Sequence, residues 1–336
     1  MEEDSHAKVG WGLLGASGIA NRALAPAITA SGVGRLVAVA SRDRSKADAF
    51  AAMHAIAHSH GSYEALLADR EVEAVYVSLP NSEHVTWAIR AVEAGKHVLC
   101  EKPMHRDPAE VARLYDAAER AGRLVMEAFM YRHHPDTQAL FASVANGEIG
   151  DVYHARAALS FSMPLAGNIR LDPDLHGGAL MDLGCYAISA LRILAGEPRR
   201  VSGLAQRAST GVDMRATAFM ECQKGATATF NCGMDLPGQS CLEVIGSKGI
   251  LRAEWPFFRP FFPHVDPPKV EIRIGLESRL FPLTDVNPYV LQVDNLSRAI
   301  RGDGQPLLGR TDAHSQAKVV GALHRSMASQ GEWVAP

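Results

Sequence analysis

The chain has 336 residues, 47% of them hydrophobic and 21% charged, with a formal net charge of −3. That length suggests two domains, and the composition is that of an ordinary soluble globular protein. So small a net charge, with basic and acidic residues interspersed, gives no sign of a nucleic-acid or membrane-surface partner, and none is expected.

Met1 to Lys8 are polar and mixed in charge, with no basic segment leading into an apolar one, and no apolar run is long enough to cross a bilayer. A cytoplasmic location is expected. The run Val9 to Leu14 reads as a buried strand and is followed by Gly15-Ala16-Ser17-Gly18-Ile19-Ala20 and a helical pattern. A strand, a tight turn and a helix N-terminus can hold a diphosphate, because the first helical amides lack intrahelical partners and the dipole is positive there. Read as G-x-G-x-x-[GA], the fingerprint falls on Gly15, Ser17 and Ala20, with serine in place of the middle glycine. A second buried strand, Leu36 to Ala40, ends at Ser41-Arg42, about twenty residues beyond the turn, where an NAD enzyme usually carries an acid. Serine and arginine there suit a 2′-phosphate, so NADP(H) is expected.

A helix from Lys46 to Ala55 leads to His54, His58 and His60, read as an exposed loop with no carboxylate or cysteine placed to complete a metal site. Short helix Tyr63 to Leu67, strand Ala74 to Val77, a helix running to Ala94 that Asn81 can cap, strand His97 to Cys100, helix Pro108 to Ala121 and strand Leu124 to Met126 continue the alternation. Such alternation means a doubly wound parallel sheet with ligands at the carboxyl ends of its strands. Ser17, Ser41, Asn81 and Lys102 all lie at such ends.

Beyond Met126 the pattern changes. Helices near Thr137 to Asn146 and Gly178 to Leu194 flank a strand from Val152 to Phe161. Extended segments follow at Val201 to Gln206, Arg215 to Glu221, Ala226 to Cys232, Cys241 to Ile245 and Val270 to Ile274, and helices return at Val290 to Ile300 and Ala313 to Met327. The expected architecture is α/β: an N-terminal Rossmann dinucleotide-binding domain over 1–127 and a C-terminal α+β domain over 128–336 with an open, mostly antiparallel sheet. One face of that sheet must be buried, and a partner subunit would serve. The five cysteines, Cys100, Cys185, Cys222, Cys232 and Cys241, show no metal-binding spacing and are expected to be reduced. No metal is expected, and a zinc-dependent alcohol dehydrogenase is excluded for want of its ligand set.

With Glu101-Lys102-Pro103, Pro80-Asn81-x-x-His84, Asn168-Ile169-Arg170 and Gly177 to Tyr186, including Asp182-x-Gly184-x-Tyr186, the chain resembles the Gfo/Idh/MocA oxidoreductase family over nearly its whole length. It is most similar to the branch containing dimeric dihydrodiol dehydrogenase, NADP-dependent aldose dehydrogenases and sugar 3-ketoreductases. The resemblance implies a Rossmann domain followed by an open-sheet domain used for homo-oligomerisation. It places Lys102 and Tyr186 at the catalytic positions, and Leu79, Asn81, His84 and Glu101 near the adenosine, nicotinamide ribose and carboxamide. Arg170 matches a cofactor- or substrate-facing arginine, and Asp182 a group holding the nicotinamide ribose or substrate hydroxyls.

Carbonyl reduction needs a proton donor and a positive charge near the developing alkoxide. Tyrosine and lysine, with ordinary pKa values of about 10 and about 10.4, stay protonated at neutral pH. Sequence leaves open which of Lys102 and Tyr186 gives the proton, and whether Tyr186 is simply a core aromatic. The stretch Trp255-Pro256-Phe257-Phe258-Arg259-Pro260-Phe261-Phe262 could stack a nucleobase and pair Arg259 with a diphosphate, or anchor a subunit interface. The Ser162 to Gly167 loop looks more like that of the deoxysugar ketoreductases. The expectation is therefore an NADPH-dependent reductase of the C-3 keto group of a dTDP-linked 3,4-diketo-2,6-dideoxyhexose in deoxysugar (antibiotic sugar) biosynthesis. Alternatives are an NADP-dependent aldose or trans-dihydrodiol dehydrogenase and, from another class, an NADP(H) sensor without turnover.

Overall fold

The computed structural model describes residues 8–164, 167–254, 256–257 and 269–336. In chain order its principal elements are β1 (Val9–Leu14), α1 (Ala25–Ala30), β2 (Gly34–Ala40), α2 (Arg44–His54), β3 (His58–His60), α3 (Tyr63–Leu67), β4 (Ala74–Val77), α4 (His84–Glu93), β5 (His97–Cys100), α5 (Pro108–Ala121), β6 (Val125–Glu127) and α6 (Pro135–Ala145). There follow β7 (Val152–Ser162), α7 (Cys185–Ala195), β8 (Pro198–Arg207), β9 (Asp213–Cys222), β10 (Thr227–Gly233), β11 (Asp235–Gly246), β12 (Gly249–Glu254), β13 (Val270–Ile274), β14 (Glu277–Leu280), α8 (Pro288–Ile300) and α9 (Arg310–Ala328). Two compact units result, and the division is not linear along the chain. The first comprises Met1–His105, Ala109–His133 and Asn287–Ala313; the second takes Arg106–Pro108, His134–Val286 and His314–Pro336.

The first unit is a six-stranded parallel sheet in the order β3-β2-β1-β4-β5-β6. All residues of β1 and β4 are buried, as expected of central parallel strands covered on both faces. Residues 58–60, expected as a loop, instead form the edge strand β3: its backbone pairs with β2, Ala38 to His58 through Ala40 to His60. Three residues with two histidines carry no apolar alternation, so only the pairing partner reveals the strand. Helix α8 returns to this unit, where the Trp11 indole donates to Ser297 Oγ at 3.1 Å and Ser31 Oγ donates to Asp294 at 2.5 Å. Arg301, just beyond α8, grips both carboxylate oxygens of Glu73 at 2.8 Å.

The second unit carries an eight-stranded sheet in the order β14-β13-β12-β11-β7-β10-β9-β8. Every pairing is antiparallel except β7 with β10. Along β9 the side chains alternate, with Met214, Ala216, Ala218, Met220 and Cys222 buried and Arg215, Thr217 and Phe219 exposed. Helix α7 is buried along nearly its whole length, and its Gly184 approach is close enough that a Cβ there would meet Cys232 Sγ and the Phe230 ring at 3.3 Å. The described residues contain no helix long and apolar enough to cross a membrane.

The Glu73–Arg301 pair tests the return of α8. The Arg301 guanidinium holds the Glu73 carboxyl below its usual range, burial opposes this, and the Gly10 amide assists at 2.9 Å. Stability from a lowered carboxyl is present above its unfolded value and is lost as pH falls through the folded one. Glu73→Gln is expected to cost about 1 kcal/mol at pH 7, a modest figure because both partners are partly solvated. Urea melts should show the gap from the unaltered protein closing as the pH drops below 4.5; a gap independent of pH would deny the ion pair its role.

Candidate active site

In the first unit the strand register sets the site. His60, Ala40, Leu14, Val77, Cys100 and Glu127 are successive partners across the six strands, so the residues after each lie along one carboxyl edge. Gly15, Ser41 and Glu101 are therefore level, with Lys102 one residue further. The Gly15 amide donates to the Ala40 carbonyl at 3.0 Å, Ser41 donates to His60 O at 3.1 Å and Glu101 donates to Val77 O at 3.0 Å.

At Gly15 the backbone has φ +106°, and a Cβ would lie 3.0 Å from Ser78 O and 3.1 Å from the Leu79 side chain. This is a cradle that a side chain would fill, and it is the feature that fits a dinucleotide diphosphate. Ser17, standing where the motif has its middle glycine, takes the cap: its Oγ accepts from the Ala20 amide at 3.1 Å and donates to Ser78 Oγ at 3.0 Å. The helix then opens with a wide turn, Ala20–Leu24, that has no acidic residue and runs into α1. Gly18 and Ile19 precede it, and Ala16 is half-buried in the turn.

At the end of β2, Asp43 is the nearest acid to the ribose position, but its carboxylate accepts from the Ser45 and Lys46 amides and caps α2. Arg42 is exposed and hydrogen-bonds the Tyr63 phenol, whose pKa is raised by burial and pulled the other way by that guanidinium. With Asp43 committed to the cap, the charged group this loop leaves exposed beside it is the Arg42 guanidinium.

Asn81 is not the cap of α4. It begins a 3-10 turn, Asn81–Glu83, and the residue at the α4 N-cap is Glu83. His84 is buried, with Nδ1 3.0 Å from the Pro103 carbonyl and Nε2 2.9 Å from the Leu79 carbonyl. Burial lowers its pKa to about 4, against the pull of those two carbonyls; a neutral ring carries a single N–H and so donates to one of them at a time. Its part is to tie the loop after β4 to the loop after β5. Glu101 accepts from the Tyr76 hydroxyl through Oε1 and from the Lys102 amide through Oε2, the latter at 3.0 Å. Lys102 follows, half-buried, and its bond to Pro103 is cis. The Met104 amide donates to Glu127 at 2.6 Å, completing the anchorage of this loop.

In the second unit, Asn168 caps the turn Ile169–Leu171, and Arg170 Nε donates to Asp182 Oδ2 at 2.6 Å. Gly178 donates to the Arg170 carbonyl at 2.9 Å; a Cβ at Gly177 would sit 2.3 Å from that same oxygen. Asp182 lies in a wide turn, Leu180–Gly184, that opens α7. Turns of this i→i+5 type recur at functional positions. Tyr186 follows on α7, only 4% exposed, its ring 6.1 Å from that of Phe257. Within this unit the structure brings Arg170 to Asp182. Arg259, Leu165 and Ala166 lie outside the described residues.

One residue escaped the sequence reading. Asp213, at the start of β9, accepts from the Leu180 amide at 2.6 Å and from the Ala179 amide. Its Oδ1 would be 2.2 Å from a Cβ at Gly178, where φ is +119°. A buried anion thus closes the N-terminus of the helix that bears Asp182 and Tyr186, although burial raises its pKa to about 6. Its only sequence signal is an acid opening an alternating strand.

Residues 9–129 match the family model described as an oxidoreductase family with an NAD-binding Rossmann fold, and residues 137–252 match the GFO/IDH/MocA C-terminal domain. The chain is 38% identical over 321 residues to a D-xylose 1-dehydrogenase (NADP(+)) of Haloferax volcanii, spanning 94% of this chain and 96% of the relative. It is 34% identical over 325 residues to the dTDP-3,4-didehydro-2,6-dideoxy-alpha-D-glucose 3-reductase of Streptomyces violaceoruber, spanning 94% of both. Among solved structures, KijD10, a 3-ketoreductase from Actinomadura kijaniata in complex with NADP and TDP-benzene, superposes with a TM-score of 0.87 at 30% identity, covering 95% of this chain and 98% of that one. Forms of that ketoreductase altered at a tyrosine or at a lysine share the fold.

Asp213→Ala is expected to lower stability by about 2–3 kcal/mol, because two buried amides lose their acceptor. Chemical denaturation at pH 7.5 reads this; a loss below about 0.5 kcal/mol, as at an ordinary surface position, would remove Asp213 from the helix-closing role. A raised acid contributes most below its unfolded pKa and loses that contribution as pH rises through the folded one, so the unaltered protein should gain on Asp213→Asn as pH falls from 6 toward 3.8.

Proposed function

The chain belongs to the Gfo/Idh/MocA oxidoreductase family, and from that premise we propose that it is an NADPH-dependent reductase of the C-3 carbonyl of a dTDP-linked 3,4-diketo-2,6-dideoxyhexose. The observation that carries the proposal is similarity over nearly the whole chain to a dTDP-sugar 3-reductase, joined by a ketoreductase fold solved with NADP and a TDP ligand. The cofactor is NADP(H), as for the NADP(+)-dependent relative and the ketoreductase solved with NADP, and an Arg42 loop whose acid is committed to capping supports it. Gly15 to Ala20 receive the diphosphate, Ser41 and Arg42 the 2′-phosphate, and Leu79, Asn81 and Glu101 line the carboxyl edge. His84 supports them from beneath.

When bound, the reduced nicotinamide supplies the hydride. The carbonyl oxygen then needs a proton and a nearby positive charge while it becomes an alkoxide. Lys102 and Tyr186 are assigned these tasks. Either a phenol or an ammonium can give that proton, and an ammonium also supplies the positive charge. Arg170 orients Asp182 through their 2.6 Å bond, which readies that carboxylate for ribose or sugar hydroxyls. Arg259 is proposed as a partner for the nucleotide diphosphate of the sugar. A second reading, an NADP-dependent aldose dehydrogenase, is favoured by the 38% identity to the xylose enzyme.

The outer face of the second unit's sheet exposes Leu204, Phe219 and Trp333, the latter two rings 6.0 Å apart and Arg200 stacked over Trp333. We assign this face to a homo-oligomer. Sedimentation should show a species of at least two chains at micromolar concentration that Phe219→Glu dissociates; a monomer throughout would refute the assignment.

NADPH oxidation with the dTDP-linked diketone generated in place, beside a panel of free aldoses run oxidatively, separates the two substrate readings. Turnover confined to the nucleotide-linked ketone is expected; turnover confined to free sugars would return the protein to the aldose dehydrogenases. Lys102→Ala should lower kcat by about 10²–10⁴-fold, the range for a lost general acid. Tyr186→Phe falling as far would make the phenol the donor, whereas substantial residual activity would leave that task to Lys102. NADPH binding without reduction of any carbonyl would favour a sensor.

A further inference from the structure

Histidines two apart on a strand project from the same face, and His58 and His60 do so on the edge strand β3. Both meet one carboxylate oxygen: Asp69 Oδ2 is 2.7 Å from His58 Nδ1 and 3.1 Å from His60 Nε2. One donor atom from each residue lies within 4.8 Å of the others. The sequence reading placed no carboxylate here, because Asp69 reaches β3 only through the turn after α3.

That carboxylate is held in place. Its Oδ1 accepts the Glu71 amide at 2.9 Å, and Lys96 Nζ donates to the carbonyls of Asp69 and Val72 at 2.8 and 2.7 Å, fixing the turn. On the far side of the first imidazole, Glu71 Oε1 stands 3.8 Å from His58 Nε2. A carboxylate behind a histidine is the usual outer partner of a metal-bound imidazole, since it fixes which nitrogen keeps its proton. None of these side chains is used in the reduction.

We propose that His58, His60 and Asp69 form a divalent transition-metal site, taking Zn2+ by preference, that fastens edge strand β3 to the turn between α3 and β4. Two imidazole nitrogens and one carboxylate oxygen make a zinc-type donor set. Ca2+ and Mg2+ are poor candidates, because they want six or more oxygen ligands and one carboxylate supplies at most two. With metal–ligand bonds of about 2.0–2.1 Å, tetrahedral donors stand about 3.3 Å apart. The N···O spacings of 2.7 and 3.1 Å would have to widen by about 0.6 and about 0.2 Å to reach it. Asp69 is nearly enclosed while His58 and His60 keep 36% and 22% of their side chains exposed, so solvent reaches the fourth position. Without metal, each imidazole donates its proton to Asp69. With metal, His58 carries that proton on Nε2, toward Glu71.

The test uses the full, untagged protein, stripped with chelator and dialysed, and titrated with ZnCl2 in a calorimeter and with Co2+ in a spectrophotometer. Expected are one equivalent of Zn2+ per chain at micromolar affinity or tighter, the intense visible absorption of four-coordinate Co2+, and a melting temperature that rises with Zn2+ by mass action. His60→Ala and, separately, Asp69→Asn should weaken that equivalent by at least about 10–100-fold while circular dichroism and NADPH binding hold. His58→Gln serves if either variant fails to fold. The proposal is overturned if the unaltered protein shows no saturable single equivalent, or if binding survives in the variants, which would assign it to scattered surface histidines.

Discussion

A Cβ at Gly10 would lie 2.0 Å from the carbonyl oxygen of Glu71, and one at Gly12 would lie 2.8 Å from a Leu66 methyl. Strand β1 can occupy the middle of its sheet only because those positions carry no side chain, and even a methyl forced into such contacts costs about 1–3 kcal/mol. With β1 seated that deeply, Leu14 is level with Ala40 on one side and Val77 on the other. Gly15 then meets the chain beyond β4 so closely that its own Cβ is excluded as well. The alignment of the Gly15 turn, the Ser41-Arg42 loop and the Glu101-Lys102 loop is a consequence of backbone crowding around one strand. His84 extends the same logic, since its buried ring fills the space between the carbonyls of Leu79 and Pro103, within hydrogen-bond distance of each.

Much of this was legible from sequence where local pattern and final environment agree. Strands β1, β4 and β5 are apolar runs because both their faces are covered, and the residues that follow them are fixed by the strand ends. Pattern failed where a partner distant in sequence decides the outcome. β3 is a strand only through its pairing with β2, and its histidines have a carboxylate only because Asp69 returns to them. Asp213 is a helix-closing residue because of the Leu180 amide 33 positions upstream and the Ala179 amide beside it, and no periodicity records that contact. Residues 287–313 read as a continuation of the second domain, yet the Trp11–Ser297 and Glu73–Arg301 bonds place them in the first unit. Asn81 misled for the opposite reason: the local signature of a cap is present, but the 3-10 turn it begins moves the start of α4 to His84.

The two units open these helices in the same way and cap them differently. Each has a glycine at positive φ whose missing Cβ makes room for a neighbour, Gly15 against Ser78 and Gly178 against Asp213, and each helix starts with a wide turn, Ala20–Leu24 or Leu180–Gly184. At the first, the cap is a neutral serine hydroxyl and the opening turn has no acid, so the positive end of the dipole is left for an external anion. At the second, the Asp213 carboxylate already accepts from the Ala179 and Leu180 amides. That helix end is thus occupied from within the protein, and the same helix carries Asp182 and Tyr186. The choice of Ser17 in one unit and Asp213 in the other therefore leaves the first helix end without an anion of its own and fills the second with the protein's own carboxylate.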